Sequence, residues 1–291
     1  MLSKKLIQNG KIIDNFLKSY LKSQKKTLLI KPMMYGLLSG GKKIRSNVIL
    51  ATGHIFGLKK KHLTYLCAAV ECIHSYSLIH DDLPCMDDDK IRRGKPSTHI
   101  KYGEASAILA GNSLLTLAFE LLMEKRFKLK NNKKNELVKL LANSAGHSGI
   151  AGGQELDLKF ENKKKNLKEI IEMQKKKTGK LFNFCCHSIG IIANLKREEK
   201  KALGFIGEDI GLLFQLTDDF LDFKGSKKIT GKLTNKDQKK GKKTLISLLG
   251  YKKSIKYAED LEKKILRNLK KHGKRSSDLI NVIKFITKRN F

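Results

Sequence analysis

The sequence predicts an all-α protein, a single large helical bundle around a central hydrophobic cavity. Three observations lead there. Apolar residues recur at helical spacing almost throughout, and stretches alternating in the manner of strands are nearly absent. Only three prolines occur in 291 residues, and no Ser/Gly-rich or Pro-rich linker interrupts the periodic segments. Length alone would allow two domains, but no seam is visible, so one domain over residues 1–291 is expected.

The elements follow in order. Leu6, Ile13, Phe16, Leu17 and Leu21 form one apolar stripe of an N-terminal helix. Gly40–Gly41 marks a break, and a helix begins behind it. Residues 62–80, HLTYLCAAVECIHSYSLIH, are mostly apolar and read as a buried helix that Pro84 cannot continue. Further helices are predicted at about 104–127, 135–152, 167–194, 198–223, 252–271 and 276–289. Gly152–Gly153 and residues 224–232 read as breaks or loops.

Composition narrows the class. The chain carries 61 Lys+Arg against 28 Asp+Glu, a formal net charge of +33. Such a balance raises nucleic acid or acidic lipid as partners. The lysines are spread along the whole chain, however, and no aromatic residues interleave with them as in a base-stacking surface. A solvated basic surface that attracts anionic substrates is the simpler reading, with no nucleic-acid partner. No apolar run is seen that approaches the ~20 residues needed to span a bilayer, so no membrane insertion is expected. The amphipathic start lacks a small-residue cleavage site, so no signal peptide is expected. Cys67, Cys72, Cys85, Cys185 and Cys186 are odd in number and lack CxxC spacing, which fits free thiols in a cytoplasmic protein.

Against that basic background the acids are concentrated. HDDLPCMDDDKIRRG (80–94) places Asp81 and Asp82 at a helix end and Asp87 just beyond it. In FQLTDDFLD (214–222), Gln215, Asp218, Asp219 and Asp222 fall at i, i+3, i+4 and i+7 on one helix face. Carboxylates packed this closely repel unless a cation lies among them. Hard oxygen donors without His or Cys suit Mg²⁺, with Mn²⁺ as a possible substitute, and Mg²⁺ takes few carboxylates while substrate phosphates complete its shell. Two facing Asp clusters therefore read as a clamp for several ions and a bound diphosphate. Arg92 and Arg93 supply guanidinium forks for phosphate oxygens. SGGKKIRS (39–46) sets Lys42 and Arg45 three apart behind a flexible turn. His74 lies two turns below Asp81 on the same face.

These segments resemble the trans-isoprenyl diphosphate synthases, whose fold is the all-α isoprenoid synthase bundle, across essentially the whole chain. GGKKIR (40–45), the first Asp-rich motif with RRG behind it, GGQELDL (152–158), KKTGKLF (176–182), FQLTDDFLD and TGK (230–232) stand in the family's order. The resemblance is to bacterial enzymes making farnesyl diphosphate; a geranylgeranyl-producing member is the alternative. It implies that Asp81, Asp87 and Asp218 bind metal, and that Arg92, Lys177 and Lys232 contact the allylic diphosphate. It further implies that Lys42, Arg45, His74 and Arg93 bind isopentenyl diphosphate, and that Thr178 and Gln215 sit beside the reacting carbons. Asp82, Asp88, Asp89, Asp219 and Asp222 rank lower. TGK and the loop around 224–243 are expected to close over the substrates, and a homodimer is implied.

Tyr76 lies ~7.5 Å below Asp81 by helical rise, with Ser77 one turn below; an aromatic there would floor the hydrocarbon pocket at fifteen carbons. The departures are Ser46 and Ile246, where the family commonly has proline, and Ser46 is expected to matter little. A terpene cyclase would need a different second metal motif and no GGKKIR. A non-catalytic partner subunit would lack intact Asp motifs, and both are intact here.

Overall fold

The segment TYLCAAVECIHSYSLIHD has no Gly or Pro and is apolar on nearly every side. Such a helix can only be central. In the computed structural model of the chain, which describes residues 2–228 and 244–288 (without the side chains of 2, 3 and 224–228), it forms α4 (Thr64–Asp81), buried from Leu66 through Ile73. Around it in the first of two compact units, Met1–Lys139, pack α1 (Leu2–Ser23), α2 (Ile30–Leu37), α3 (Ile44–Ile55) and α6 (Glu104–Met123). A short antiparallel hairpin, β1 (Ile91–Arg92) and β2 (Lys95–Pro96), and the short α5 (Thr98–Tyr102) complete this unit.

The helix α6 departs from the sequence reading. It is 20 residues long and apolar enough, by length and composition, to cross a membrane. Ser106, Asn112, Ser113 and Thr116 interrupt the run and disguise it. Ala107, Ala110, Leu114, Ala118 and Leu121 are fully buried, which marks a core helix laid on α4. Ile108, Leu109 and Met123 on α6 are exposed at 41%, 51% and 46%.

The second unit, Leu140–Phe291, is built on the antiparallel neighbours α10 (Lys180–Ile192) and α11 (Arg197–Lys228). It also contains α8 (Ile150–Phe160), α9 (Leu167–Gln174), α12 (Leu245–Leu249), α13 (Tyr251–Leu269) and α14 (Ser277–Thr287), while α7 (Asn131–Ala145) spans the division point. A capping box starts α9: Asn166 accepts from the Glu169 N–H at 3.0 Å, and Glu169 accepts from the Asn166 N–H at 2.9 Å. Between α9 and α10 the helix does not break but widens into a π-helical segment, Lys175–Gly179.

Two expected breaks are corrected. Gly152 and Gly153 lie inside α8, and the interruption falls earlier, at 146–149. Neither position has room for a Cβ, Gly152 because of the His147 carbonyl (1.9 Å) and Gly153 because of the Lys177 backbone, so both serve close packing and not chain flexibility. Of the expected break at 224–232, residues 224–228 continue α11, and 229–232 lie outside the described residues. The Gly40–Gly41 break is present, both residues having positive φ (92° and 105°).

Candidate active site

Asp81 is the last residue of α4 and Asp82 its C-cap. Beyond them the chain folds back: the Asp87 N–H donates to the Asp81 carbonyl (2.8 Å), and the Asp88 N–H to the Leu83 carbonyl (3.0 Å). The six-residue spacing of the motif is thus closed into a loop that returns Asp87 to the end of α4. The Arg92 guanidinium spans the acids, with Nε donating to Asp82 at 2.8 Å and Nη2 reaching Asp82 and, at 3.3 Å, Asp89. Burial raises the Asp82 carboxyl pKa, with the Arg92 hydrogen bond opposing that rise. Arg92 therefore stands among carboxylates, and as a five-donor fork it keeps further N–H groups for an anion.

Arg93 and Gly94 turn the hairpin with positive φ at both positions (53° and 74°), the requirement of a type I′ turn. That turn carries Arg93 back to the Gly–Gly loop, where Nη1 donates to Ser39 Oγ (3.2 Å) and to the Gly40 carbonyl. A Cβ on Gly41 would lie 2.8 Å from the Arg93 Cζ, and the φ of 105° there is one in which side chains are strained, so this approach favours glycine. Lys42 belongs to the same loop, and Arg45 is buried in the first turn of α3, which follows it.

His74 reports the gathering of cations. Burial first, then the charges of Arg45, Arg93, Lys43 and Arg92, holds its imidazole well below its ordinary value of 6.5. The folded chain binds that proton more weakly than the unfolded one. Its contribution to stability is therefore complete above about pH 6.5 and is lost as pH falls from there toward the folded value. A diphosphate bound beside these cations would offset them and reverse part of the shift. NMR titration should find the His74 midpoint moving upward when inorganic diphosphate is added; an unmoved midpoint would separate His74 from the anion site.

His80 holds the last turn of α4 in place. Its Nε2 lies 3.1 Å from the Ile108 carbonyl on α6, in a niche open only because residue 111 is glycine: a Cβ there would meet Nε2 at 2.1 Å. Tyr76 packs edge-on against His80, ring centroids 5.7 Å apart. Burial and then the Asp81 charge push its hydroxyl up to about 12, so the buried phenol senses the acidic end of its own helix. Ser77, also buried, donates back to the His74 carbonyl at 2.9 Å.

In the second unit the π segment presents Lys177 and Thr178. Lys177 Nζ is 2.7 Å from Asp157 on α8. Thr178 Oγ1 donates to Gln215 Oε1 (2.9 Å), and Gln215 Nε2 donates to Asp219 (3.0 Å). The other Asp219 oxygen accepts from the buried Gln174 amide at 3.2 Å. This chain fixes the Gln215 amide with its oxygen toward Thr178. Asp219, only 5% exposed, is thus an organiser of Gln215, whereas Asp218 and Asp222 are half-buried. The spacing in α8 explains the GGQELDL motif. A Cβ on Gly153 would sit 2.2 Å from the Lys177 backbone nitrogen, so glycine lets α8 lie directly on the π segment, with Asp157 one turn on. Lys232 and the TGK loop lie outside the described residues.

Sequence reasoning gave no role to Asp157, Gln174 or His80. The first stood in a quoted motif, but its partner lies 20 residues away, and nothing local announces the pairing.

Among the described residues no group of three or more His, Cys, Asp or Glu side chains forms a ready-made metal cage. Mg²⁺ takes few carboxylates and draws the rest of its shell from water and phosphate. The backbone return of Asp87 to the end of α4 brings a second carboxylate-bearing residue to Asp81, and carboxylate oxygens are the donors Mg²⁺ prefers. Over residues 26–285 the chain matches the family model described as Polyprenyl synthetase. It belongs to the polyprenyl synthetase family. The farnesyl diphosphate synthase of Escherichia coli is 42% identical over 254 residues, covering 87% of this chain and 85% of that protein. Among solved structures, an apo FPP/GFPP synthase from Zymomonas mobilis superposes with a TM-score of 0.88 at 33% identity, covering 98% of each chain. A Helicobacter pylori geranyltransferase complexed with magnesium and isoprenyl diphosphate gives 0.82 at 30% identity over 99% of this chain and 98% of that one.

Proposed function

We propose that this polyprenyl synthetase condenses isopentenyl diphosphate with dimethylallyl and then geranyl diphosphate, releasing diphosphate and ending at farnesyl diphosphate in isoprenoid biosynthesis. The observation that carries the reading is the folded-back Asp81–Asp87 loop with Arg92 and Arg93 beside it, in a chain matching the family from 26 to 285. Residues 1–291 are taken as one polyprenyl synthetase domain.

Asp81, Asp87 and Asp218 hold Mg²⁺, for which Mn²⁺ can substitute. The bound ions supply neutralising charge to the departing diphosphate. Arg92, Lys177 and Lys232 add their cations to the allylic diphosphate, while Lys42, Arg45, His74 and Arg93 seat isopentenyl diphosphate. When the allylic C–O bond breaks, the positive charge on carbon needs oriented oxygen dipoles and protection from water. Thr178 Oγ1 donates its proton to Gln215 and so keeps its lone pairs for that carbon. The isopentenyl double bond forms the new C–C bond, and the proton lost goes to an oxygen of the released diphosphate. Tyr76, 6% exposed beneath the acidic loop, supports a pocket floor at fifteen carbons, with Ser77 beside it.

The expected assay is direct. Purified protein incubated with isopentenyl and geranyl diphosphates and Mg²⁺ should yield a fifteen-carbon product. A dominant twenty-carbon product would overturn the Tyr76 floor, and no condensation would overturn the activity. A homodimer and a cytoplasmic location belong to the same reading. The exposed apolar Ile108, Leu109 and Met123 support the first, and the free thiols support the second.

A further inference from the structure

Four helices of the first unit converge on one buried ammonium group. Lys43 immediately precedes α3 with a left-handed backbone (φ 45°, ψ 50°), a conformation that non-glycine residues keep only where their surroundings enforce it. Its Nζ donates to the Leu37 carbonyl at the end of α2 (3.0 Å), lies 3.2 Å from Asp14 on α1, and 3.7 Å from Glu71 on α4. The Lys43 and Glu71 side chains are 3% and 2% exposed. Glu71 Oε1 in turn accepts from the Ser46 hydroxyl (2.7 Å) and the Ser46 backbone N–H (3.2 Å) in the first turn of α3.

Ser46 corrects an expectation. Proline, the residue the family resemblance leads one to expect there, has neither of these donors. The substitution therefore ties α3 to α4 through two hydrogen bonds that proline could not make.

A buried carboxylate beside anion-binding residues is unfavourable for an incoming diphosphate unless its charge is compensated. Lys43 compensates it, and it stands between Lys42 and Ile44, where the loop meets the helix that carries Arg45. The mechanism above uses none of Lys43, Glu71 or Ser46. We propose that these three are positioning residues for isopentenyl diphosphate: a charge-compensated buried cluster that holds the Gly40–Lys43 loop and the start of α3 so that Lys42 and Arg45 receive its diphosphate. This rests on the proposed condensation activity.

The test compares wild type, Lys43→Met, Ser46→Ala and the double variant Lys43→Met/Glu71→Gln. Steady-state KM values for both substrates are measured, together with calorimetric titration of isopentenyl diphosphate. Lys43→Met should raise the KM and Kd for isopentenyl diphosphate by ~10-fold, about 1.4 kcal/mol, and leave the KM for geranyl diphosphate within ~2-fold. The double variant also neutralises the buried Glu71, leaving only the 30% exposed Asp14 carboxylate without its ammonium partner, and should recover most of the loss. Ser46→Ala, which keeps the backbone donor and should fold, is expected to raise the same KM by ~3-fold. Equal effects on both substrates, or no recovery in the double variant, would reduce the cluster to packing and overturn the inference. If Lys43→Met does not fold, an unchanged isopentenyl diphosphate KM in Ser46→Ala overturns it alone. Wild-type protein that neither condenses the substrates nor binds isopentenyl diphosphate overturns both the activity and this inference. Condensation with unchanged KM values in the variants overturns only the inference.

Discussion

Asp81→Ala is expected to lower kcat by ~10³-fold or more, about 4 kcal/mol of transition-state stabilisation, while the metal-free protein loses no stability. The two halves of that result have one cause. Asp81 is a carboxylate only 8% exposed, at the C-terminal end of α4, with Asp82 next in the chain. The helix macrodipole disfavours negative charge at that end by ~0.3–1 kcal/mol, and the neighbouring carboxylate adds repulsion. Attraction to the Arg92 guanidinium offsets part of that cost, so for folding the residue gains little. Its placement is explained by the proposed binding of a divalent cation and a diphosphate there. Thermal unfolding in EDTA should show a Tm for the variant equal to or above that of wild type, beside an activity assay close to background. Parallel losses of stability and activity would mean that the carboxylate serves the fold.

Gly153→Ala should have the second-largest effect, through the opposite route. The added Cβ would lie 2.2 Å from the Lys177 nitrogen and 2.4 Å from its Cα. Both are backbone atoms, so no flexible side chain can move aside. Overpacking of this kind costs ~1–3 kcal/mol when the structure can shift, and the shift here moves the π segment that carries Lys177 and Thr178. A displacement of ~1 Å of positioning groups can cost ~10²-fold in rate. A large fall in kcat with a lowered Tm is therefore expected, measured by product formation and calorimetry. A variant retaining both within error would show that α8 does not set the position of Lys177.

The all-α class was legible because periodic apolar positions are a local property. The helices predicted from 104, 167, 198, 252 and 276 begin within a few residues of the observed α6, α9, α11, α13 and α14. The π segment was not legible. Its five residues read as ordinary helix, and the widened turn lies where α8 packs against it with no Cβ at position 153. The same contact explains why Gly152–Gly153 was misread as a break: glycine marks both loose chain and tight packing, and only the neighbour distinguishes them. The hairpin at 91–96 is too short to carry an alternating pattern, yet it decides where Arg93 goes.

The acidic motifs, the basic loop and the family membership they announce were set by residue types at fixed spacings along the chain. Those spacings survive in any fold that makes the helices, which is why reading them needed no coordinates. Which polar group meets which was decided only by tertiary structure: Arg92 on Asp82, Lys177 on Asp157, Lys43 with Glu71, Asp219 on the Gln174 amide. Coulomb and hydrogen-bond energies depend on distances of a few ångströms between residues 10 to 45 positions apart, and no local pattern encodes those distances.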